Sequence, residues 1–330
     1  MEDAPDSAPY HQLGPDTVLT AVESCGYRTD GHFLALNSYE NRVYQIGLED
    51  EPPLVAKFYR PGRWSDDAIL EEHRFALELA EHEIPVVAPL PDRDGTTLHR
   101  YKGFRFALFP RRGGRWPELD QRDNRLWLGR FIGRIHAVGA VRPFEYRPAL
   151  DSRSFGTDSV RFILENRLIP GHVEEAYRTL TEDLLTQIEG RFEMVGALRR
   201  LRLHGDCHPG NILWTDAGPH FVDLDDCRSG PAVQDLWMLL SGAREEMAVQ
   251  LGDIIEGYTQ FFDFDPVELH LIEPLRTLRM LHYAAWLARR WSDPAFPMAF
   301  PWFGSPRYWE DHILALREQA AALDEPPLPV

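Results

Sequence analysis

The stretch that decides the fold is LHGDCHPGNILWTDAGPHFVDLDD, residues 203–226. Its short apolar runs, ILW and HFV, flank the turn-forming residues TDAGP, and this pattern predicts a β-hairpin. The polar residues in and beside this hairpin are His204, Asp206, His208, Asn211, Asp223, Asp225 and Asp226. Acidic side chains beside apolar strands repel each other and lose hydration unless a cation compensates them. The stretch therefore predicts a site for a divalent cation, for which Mg²⁺ is the simplest choice.

Three residues of this stretch fit the chemistry of phosphoryl transfer. Mg²⁺ prefers one or two carboxylates with an amide oxygen, and it keeps positions for water and phosphate oxygens. Asn211 and Asp223 supply those ligands. Asp206 precedes Asn211 by five positions, the spacing of the catalytic Asp and the metal-binding Asn in kinase catalytic loops. We therefore predict a kinase-type catalytic loop followed by a second metal-binding Asp.

A lysine and a glutamate earlier in the chain extend this constellation. Lys57 and Lys102 are the only lysines, so 33 of the 35 basic residues are arginine, which favours a chemical role for Lys57 over an exposed strand position. Lys57 lies in the apolar run LVAKFY, and the next helix carries Glu71 and Glu72. We predict that Lys57 binds nucleotide phosphates and that Glu72 anchors its ammonium, with Glu71 as the other candidate.

The order of elements predicts an α+β protein. Residues 32–37, 42–48 and 53–59 predict an antiparallel meander, and Ser65 is the predicted N-cap of the helix that follows. A second hairpin over 96–110 leads into a flexible hinge at 110–117. Apolar residues at helical spacing then recur over 120–138, 158–168, 173–192, 232–241, 244–262, 266–290 and 306–322. We predict a leader and first helix at 1–30, a nucleotide-binding N-lobe at 31–112 and a helical C-lobe at 113–330.

Composition and charge restrict the class of function. The 330 residues are 44% hydrophobic and 26% charged, which is typical of a folded globular protein. A formal net charge of −17 disfavours binding to nucleic acid and to anionic membranes. Three cysteines without CxxC spacing predict free thiols in a reducing compartment, and the acidic N-terminus and lack of a long apolar run argue against secretion or membrane spanning. We expect a cytoplasmic monomer.

Several motifs together resemble one family. HGDCHPGN and FVDLDD are similar to the aminoglycoside and choline kinase branch of the protein-kinase-like fold. With LNSYENRVYQ, VAKFYRPGRWS, IPVVAP and GPAVQDLW, the chain resembles the bacterial stress response kinase A family. The resemblance implies a bilobal fold, with a small antiparallel-sheet N-lobe and a helical C-lobe, and transfer of the ATP γ-phosphate to serine or threonine of a protein substrate.

The resemblance also assigns roles to residues. It implies that Asp206 and Asp223 are catalytic, with Asp206 as proton acceptor, that Asn211 and Asp223 bind Mg²⁺, and that Ser38 lies near the ATP phosphates. By the same analogy, Asp235 accepts backbone hydrogen bonds from the catalytic loop and fixes it. DLD replaces the usual DFG and leaves no room for a long activation loop, so we expect no control by activation-loop phosphorylation.

Other interpretations remain open at this point. A small-molecule kinase acting on an aminoglycoside, choline or a sugar would use the same lobes and loop. A non-catalytic nucleotide-binding regulator is conceivable because the loop NSYEN lacks the glycines that cradle phosphate. Zinc binding by His204, Cys207 and His208 is disfavoured because a structural zinc site needs four well-spaced ligands.

Overall fold

The computed structural model describes residues 9–330, which form two compact units. The first unit comprises the described residues through Pro117, together with residues 144–147 and 209–227. The second unit comprises residues 118–143, 148–208 and 228–330. The first eight residues of the predicted leader lie outside the described part of the chain.

A five-stranded antiparallel sheet is the framework of the first unit, with strand order β1-β2-β3-β5-β4. The predicted meander and the second hairpin are confirmed, with strand ends within a few residues of those expected. The strands are β1 (Thr29–Leu36), β2 (Arg42–Leu48), β3 (Leu54–Phe58), β4 (His99–Tyr101) and β5 (Phe104–Pro110).

Strand β3 presents two chemically different faces, because side chains alternate along a strand. Leu54, Ala56 and Phe58 belong to an apolar core that also includes Val18, Ala21 and Val22 of helix α1 (Pro15–Glu23). Lys57 and Val55 point to the opposite face, where they line a cavity. The core packing of one face therefore fixes the position of the lysine on the other.

Helix α2 (Asp66–Glu81) follows β3, as predicted. The Ser65 side chain accepts a hydrogen bond from the Ala68 N–H at 3.1 Å, which confirms the N-cap. The apolar positions Ile69, Phe75 and Leu79 are buried. Because Glu72 lies one turn after Ile69 on the same side of the helix, burial of that side carries Glu72 inward.

The predicted polar hairpin is formed by β7 (Ile212–Thr215) and β8 (Gly218–Phe221). In the stretch before it, Arg115 exchanges two backbone hydrogen bonds with Trp214, at 2.8 and 2.9 Å. A Cβ on Gly114 would lie 2.8 Å from the Leu213 Cβ. Glycine therefore allows close approach of the backbone to the hairpin here, while the flexibility expected over 110–117 stays a prediction.

Helices dominate the second unit. They are α3 (Arg122–Gly139), α4 (Asp158–Glu165), α5 (Gly171–Val195), α6 (Gln234–Trp237), α7 (Arg244–Tyr258), α8 (Ile272–Arg289), α9 (Ala295–Ala299) and α10 (Pro306–Asp324). A short antiparallel pair, β6 (Leu201–Leu203) with β9 (Arg228–Gly230), accompanies them, and a π-helical turn precedes α4. Three-residue strands carry too little pattern for sequence analysis to find them.

The prediction of a single α-helix over 266–290 is wrong for residues 266–271. Residues Pro266–Leu271 form a 3₁₀ turn, and the α-helix starts at Ile272. Pro274 explains the start, because proline lacks an N–H and is tolerated only in the first turn of a helix. Likewise, only Gln234–Trp237 of the helix expected over 232–241 is α-helical. Across residues 9–330, none of the helices combines the length and the apolar character needed to cross a bilayer.

Candidate active site

A cavity of about 350 Å³ opens in the first unit, on the face of the sheet that carries Lys57. This volume lies within the range of small-molecule sites. Its walls are largely apolar, including Val43, Val55, Val87, Phe109, Leu213 and Val222. Its polar lining brings together all of the residues predicted at the nucleotide and the metal, namely Ser38, Lys57, Glu72, Asn211 and Asp223.

Lys57 is the centre of a buried charge cluster. Its Nζ lies 3.0 Å from Asp223 Oδ1, 3.3 Å from Asp225 Oδ1 and 3.4 Å from Glu72 Oε1. The side chains of Lys57, Glu72 and Asp225 are nearly inaccessible, whereas that of Asp223 is 53% exposed. The ammonium is therefore held from the buried side, and Asp223 is the most exposed of its three carboxylate partners.

The charges of this cluster are not equivalent. Burial opposes a charge on Lys57, but the carboxylates of Asp223, Asp225 and Glu72 outweigh it and hold the pKa of the ammonium well above its usual range. Burial would also raise the pKa of Asp225, but Arg63 and Lys57 together hold it below its usual value. For Glu72 burial prevails and raises the pKa to about 7, although Lys57 favours its ionised form. Glu72 is therefore the carboxyl whose charge is least well compensated.

The geometry separates the two adjacent glutamates. Glu72 faces Lys57, as described. Glu71 instead accepts backbone hydrogen bonds from Glu145, Tyr146 and Arg147. Successive helical residues are about 100° apart around the axis, so only one of the two can reach the lysine.

Asp223 and Asn211 adjoin at the open end of the hairpin. The Val222 N–H donates to the Asn211 carbonyl at 3.0 Å, which closes the base of the hairpin beside both residues. Asp223 has φ of +60°, in the left-handed region that costs a non-glycine residue about 1 kcal/mol or more. A residue held in this strained conformation at a cavity is typical of a functional position.

The donor set fits a magnesium ion. Arg63 engages the neighbouring acids, Asp225 and Asp226, the latter at 2.8 Å. Asp223 is thus the most exposed of the three carboxylates of the DLDD turn, and Asn211, which lines the same cavity, carries an amide oxygen. Among residues 9–330 no three His, Cys, Asp or Glu side chains are grouped to hold a metal by themselves. Mg²⁺ commonly takes several of its ligands from water and phosphate oxygens.

The glycine-free loop NSYEN is fixed by its own polar groups. The Ser38 hydroxyl donates to the Asn41 carbonyl at 3.1 Å, and Asn41 Oδ1 accepts the Arg60 N–H at 3.1 Å. The Glu40 carboxylate lies 3.1 Å from Arg60 Nε and 3.9 Å from Arg63 Nε. Arg63 thereby links this loop to the DLDD turn within the first unit.

Asp206 belongs to the second unit. Its Oδ1 lies 2.6 Å from Arg279 Nη1 of α8, and its Oδ2 lies 3.5 Å from His208 Nε2. The Asp206 side chain is 22% exposed and that of Arg279 is 39% exposed. The Arg279 guanidinium therefore supplies a direct counter-charge to the Asp206 carboxylate.

Asp235 fixes the backbone just before Asp206, as its predicted role requires. It accepts hydrogen bonds from the N–H groups of His204 and Gly205, both at 2.8 Å. Its Oδ2 also lies 3.1 Å from His136 Nε2, and the other ring nitrogen lies 2.9 Å from the Tyr258 hydroxyl. Gly205 has φ of +82°, a conformation that glycine adopts without strain. The hydrogen bonds predicted for Asp235 are confirmed.

Sequence analysis missed three contributors to this chemistry. Asp225 was noted only as part of an acidic cluster, although its i, i+2 spacing from Asp223 could have suggested a second partner for Lys57. Arg63 lies within the quoted motif VAKFYRPGRWS, yet nothing local indicates that it binds the DLDD turn. Arg279 lies 73 residues after Asp206 on an ordinary amphipathic helix, and no sequence signal identifies it.

Comparison with known proteins finds relatives over most of the chain. The model of the phosphotransferase enzyme family (APH) matches residues 32–270. Stress response kinase A of Escherichia coli (strain K12) is 47% identical over 319 residues, covering 97% of this chain and 96% of that protein. Serine/threonine protein kinase RdoA of Salmonella typhimurium (strain LT2) is similar to the same extent.

Solved structures show the same fold at low identity. An amicoumacin kinase in complex with AMP-PNP and Ca²⁺ has a TM-score of 0.72 at 18% identity and covers 95% of each chain. A spectinomycin phosphotransferase in complex with ADP has a TM-score of 0.65 at 14% identity and covers 96% of this chain and 100% of its own. The expected α+β fold, with an antiparallel sheet near the N-terminus and a helical C-terminal region, is confirmed. The chain is a phosphotransferase that belongs to the APH family and, within it, to the bacterial stress response kinase A family.

Proposed function

We propose that this protein is an ATP-dependent protein kinase that transfers the γ-phosphate of ATP to serine or threonine hydroxyls of a protein substrate. The observation that carries the proposal is the Lys57 cluster. A buried ammonium is held by Glu72 and Asp225 and lies 3.0 Å from the exposed Asp223, at the lining of a cavity of nucleotide-binding size. The name of the relative from Salmonella, a serine/threonine protein kinase, supports the choice of a protein acceptor.

In this proposal the first unit binds the nucleotide. The apolar walls of the cavity take the base, and Lys57 binds phosphate oxygens of ATP. The Ser38 hydroxyl lies in the loop that lines the same cavity. On nucleotide binding it would give up its bond to the Asn41 carbonyl and donate to a phosphate in place of the missing glycine-loop amides. Because Glu72 and Asp225 already hold the lysine, little reorganisation is needed when the nucleotide binds.

Asn211 and Asp223 would hold Mg²⁺. When bound, the ion neutralises charge on the phosphate oxygens during transfer. The strained backbone of Asp223 and the engagement of Asp225 and Asp226 by Arg63 favour Asp223 as the ligand.

Asp206 is the proposed proton acceptor. Arg279 Nη1 lies 2.6 Å from its Oδ1, and in this proposal the Asp206 carboxylate takes the proton of the acceptor hydroxyl. His204 and Gly205, fixed by Asp235, keep the loop that carries Asp206 in one conformation. Positioning and electrostatics supply most of the rate enhancement in such a reaction.

The second candidate is a small-molecule kinase, because the solved neighbours include kinases of amicoumacin and spectinomycin. In the cytoplasm, the location we propose from the acidic charge and the three free thiols, both acceptor classes are available.

The class of acceptor, a protein or a small molecule, is tested by incubating the protein with Mg²⁺ and radiolabelled ATP. One set of reactions contains a dephosphorylated protein mixture, and the other contains a panel of amino alcohols, aminoglycosides and sugars. Mass spectrometry of the products should show phosphoserine or phosphothreonine, absent from reactions with Asp206→Ala. Label transferred to small molecules alone would support the rival, and nucleotide binding without any transfer would indicate a regulator.

A further inference from the structure

Residues 144–147, which we term the strap, contact helix α2 through Glu71. The Glu71 carboxylate accepts three successive backbone N–H groups, from Glu145 at 2.7 Å and from Tyr146 and Arg147 at 2.8 Å. Glu71 is 8% exposed, so these bonds are shielded from water. Phe144 adds an apolar contact, because its ring packs edge-to-face against Phe75 of the same helix at 5.4 Å between centroids.

The last residue of the strap reaches the DLDD turn. Arg147 donates from Nε to the Cys227 carbonyl at 2.9 Å and from Nη2 to the Asp225 carbonyl. Its guanidinium lies over the Trp64 ring, with 4.1 Å from Cζ to the centroid, and is inaccessible to solvent. Its Nη1 is 3.8 Å from Glu72 Oε2, and neither of these atoms has a hydrogen-bond partner among residues 9–330.

The strap thus ties together the two elements that hold Lys57 from its buried side. Helix α2 carries Glu72, and the turn after β8 carries Asp225. Neither element is adjacent to the strap in sequence, since Glu71 is 74 residues from Glu145 and Arg147 is 80 residues from Cys227. Lys57 by itself attracts both carboxylates, but an ion pair fixes direction poorly compared with several convergent hydrogen bonds.

We infer that Glu71 and Arg147 are positioning residues that keep Glu72 and Asp225 against Lys57 when no nucleotide is bound. The nucleotide site is then formed in advance, and α2 does not move away from the sheet between cycles. The inference rests on the proposed function for its kinetic consequence only, because the position of α2 can be measured without turnover.

Hydrogen exchange of the nucleotide-free protein tests this inference. Glu71→Ala removes all three acceptor contacts, and Arg147→Lys keeps the charge but loses the planar fork whose separate nitrogens reach the two carbonyls. Glu81→Ala is the matched control, because Glu81 is exposed in the last turn of the same helix. Hydrogen exchange of the backbone amides in peptides covering 66–81 should be about tenfold faster or more in Glu71→Ala than in the wild type. Without the Glu71 carboxylate, local opening of α2 no longer has to break the three buried hydrogen bonds to the strap. Peptides covering 272–289 should be unchanged.

Kinetics supply the second measurement. In Glu71→Ala and Arg147→Lys the KM for ATP should rise about tenfold while kcat at saturating ATP falls much less, since nucleotide binding then has to order α2. If Glu71→Ala does not fold, the hydrogen exchange and the KM of Arg147→Lys test the inference instead. The inference would be overturned if Glu71→Ala and Arg147→Lys showed the same hydrogen exchange and the same KM for ATP as Glu81→Ala. Rapid exchange of α2 in the wild-type protein that slows only when ATP is added would overturn it as well. Absence of any phosphoryl transfer would refute the proposed function without affecting the exchange result.

Discussion

Glutamine in place of Glu72 should make the protein more stable at alkaline pH and less able to use ATP. Glutamine preserves the shape of the side chain and the oxygen that faces Lys57 at 3.4 Å, but it carries no charge. In the wild-type protein burial raises the pKa of Glu72 to about 7, above its ordinary value of 4.5. The ionised form is thus disfavoured by the fold, and glutamine removes that penalty.

The sign and size of the effect follow from proton linkage. Because the pKa of Glu72 is higher in the folded state, the folded protein binds more protons, and its stability falls as the pH rises from 4.5 through 7. A rise in pKa from 4.5 to about 7 corresponds to about 3 kcal/mol, since each tenfold change in proton affinity is worth about 1.4 kcal/mol. Glu72 is 3% exposed, so solvent screening reduces this value little.

Urea denaturation at pH 4.5 and pH 8.5 measures the difference. The free energy of unfolding of the wild type should fall by about 3 kcal/mol more than that of Glu72→Gln between these values. The KM of Glu72→Gln for ATP should rise about tenfold, because Lys57 loses one of its three anionic partners. Parallel loss of stability in the two proteins would refute the argument that burial prevails over Lys57 at this carboxyl.

Four further substitutions test the remaining roles. Asp223→Ala should weaken Mg²⁺-dependent ATP binding in calorimetry while metal-free nucleotide binding changes less; unchanged affinity would count against the metal assignment. Asp206→Ala should lower kcat by about 10² to 10⁴ with ATP affinity retained, and Arg279→Gln should lower kcat less than this, as steady-state kinetics will report; full turnover without Asp206 would exclude it as the base. Asp235→Asn should destabilise the protein by about 1–3 kcal/mol in urea denaturation, because one of its carboxylate contacts is lost in a fully buried position; a neutral effect would deny that Asp235 fixes the loop.

Much of the fold could be predicted because its signals are local. Alternating apolar residues predicted the strands around Lys57, and Ser65 with the following acids predicted the start of α2. Where the predicted element ends differ from the structure, a specific residue explains the difference, as Pro274 does for the start of α8. Gly114 shows a role that the sequence did not indicate, because it allows the backbone to approach Leu213 closely.

The surroundings of Asp206, the predicted proton acceptor, were harder to predict. Asp206 was identified by its spacing from Asn211, but its partner Arg279 comes from a helix whose sequence shows only an ordinary apolar stripe. Pairing between distant side chains depends on how helices pack, and no local pattern encodes it.

By itself, the sequence determined which chemical groups are available: a lone strand lysine, a helical glutamate, a loop with Asp and Asn five residues apart, and an acidic hairpin end. Only the tertiary structure decided between Glu71 and Glu72, recruited Asp225 to Lys57, and turned Glu71 toward the strap. The physical reason is that these choices join residues separated by 15 to 168 positions, where burial and the direction of each side chain, rather than chain proximity, select the partner.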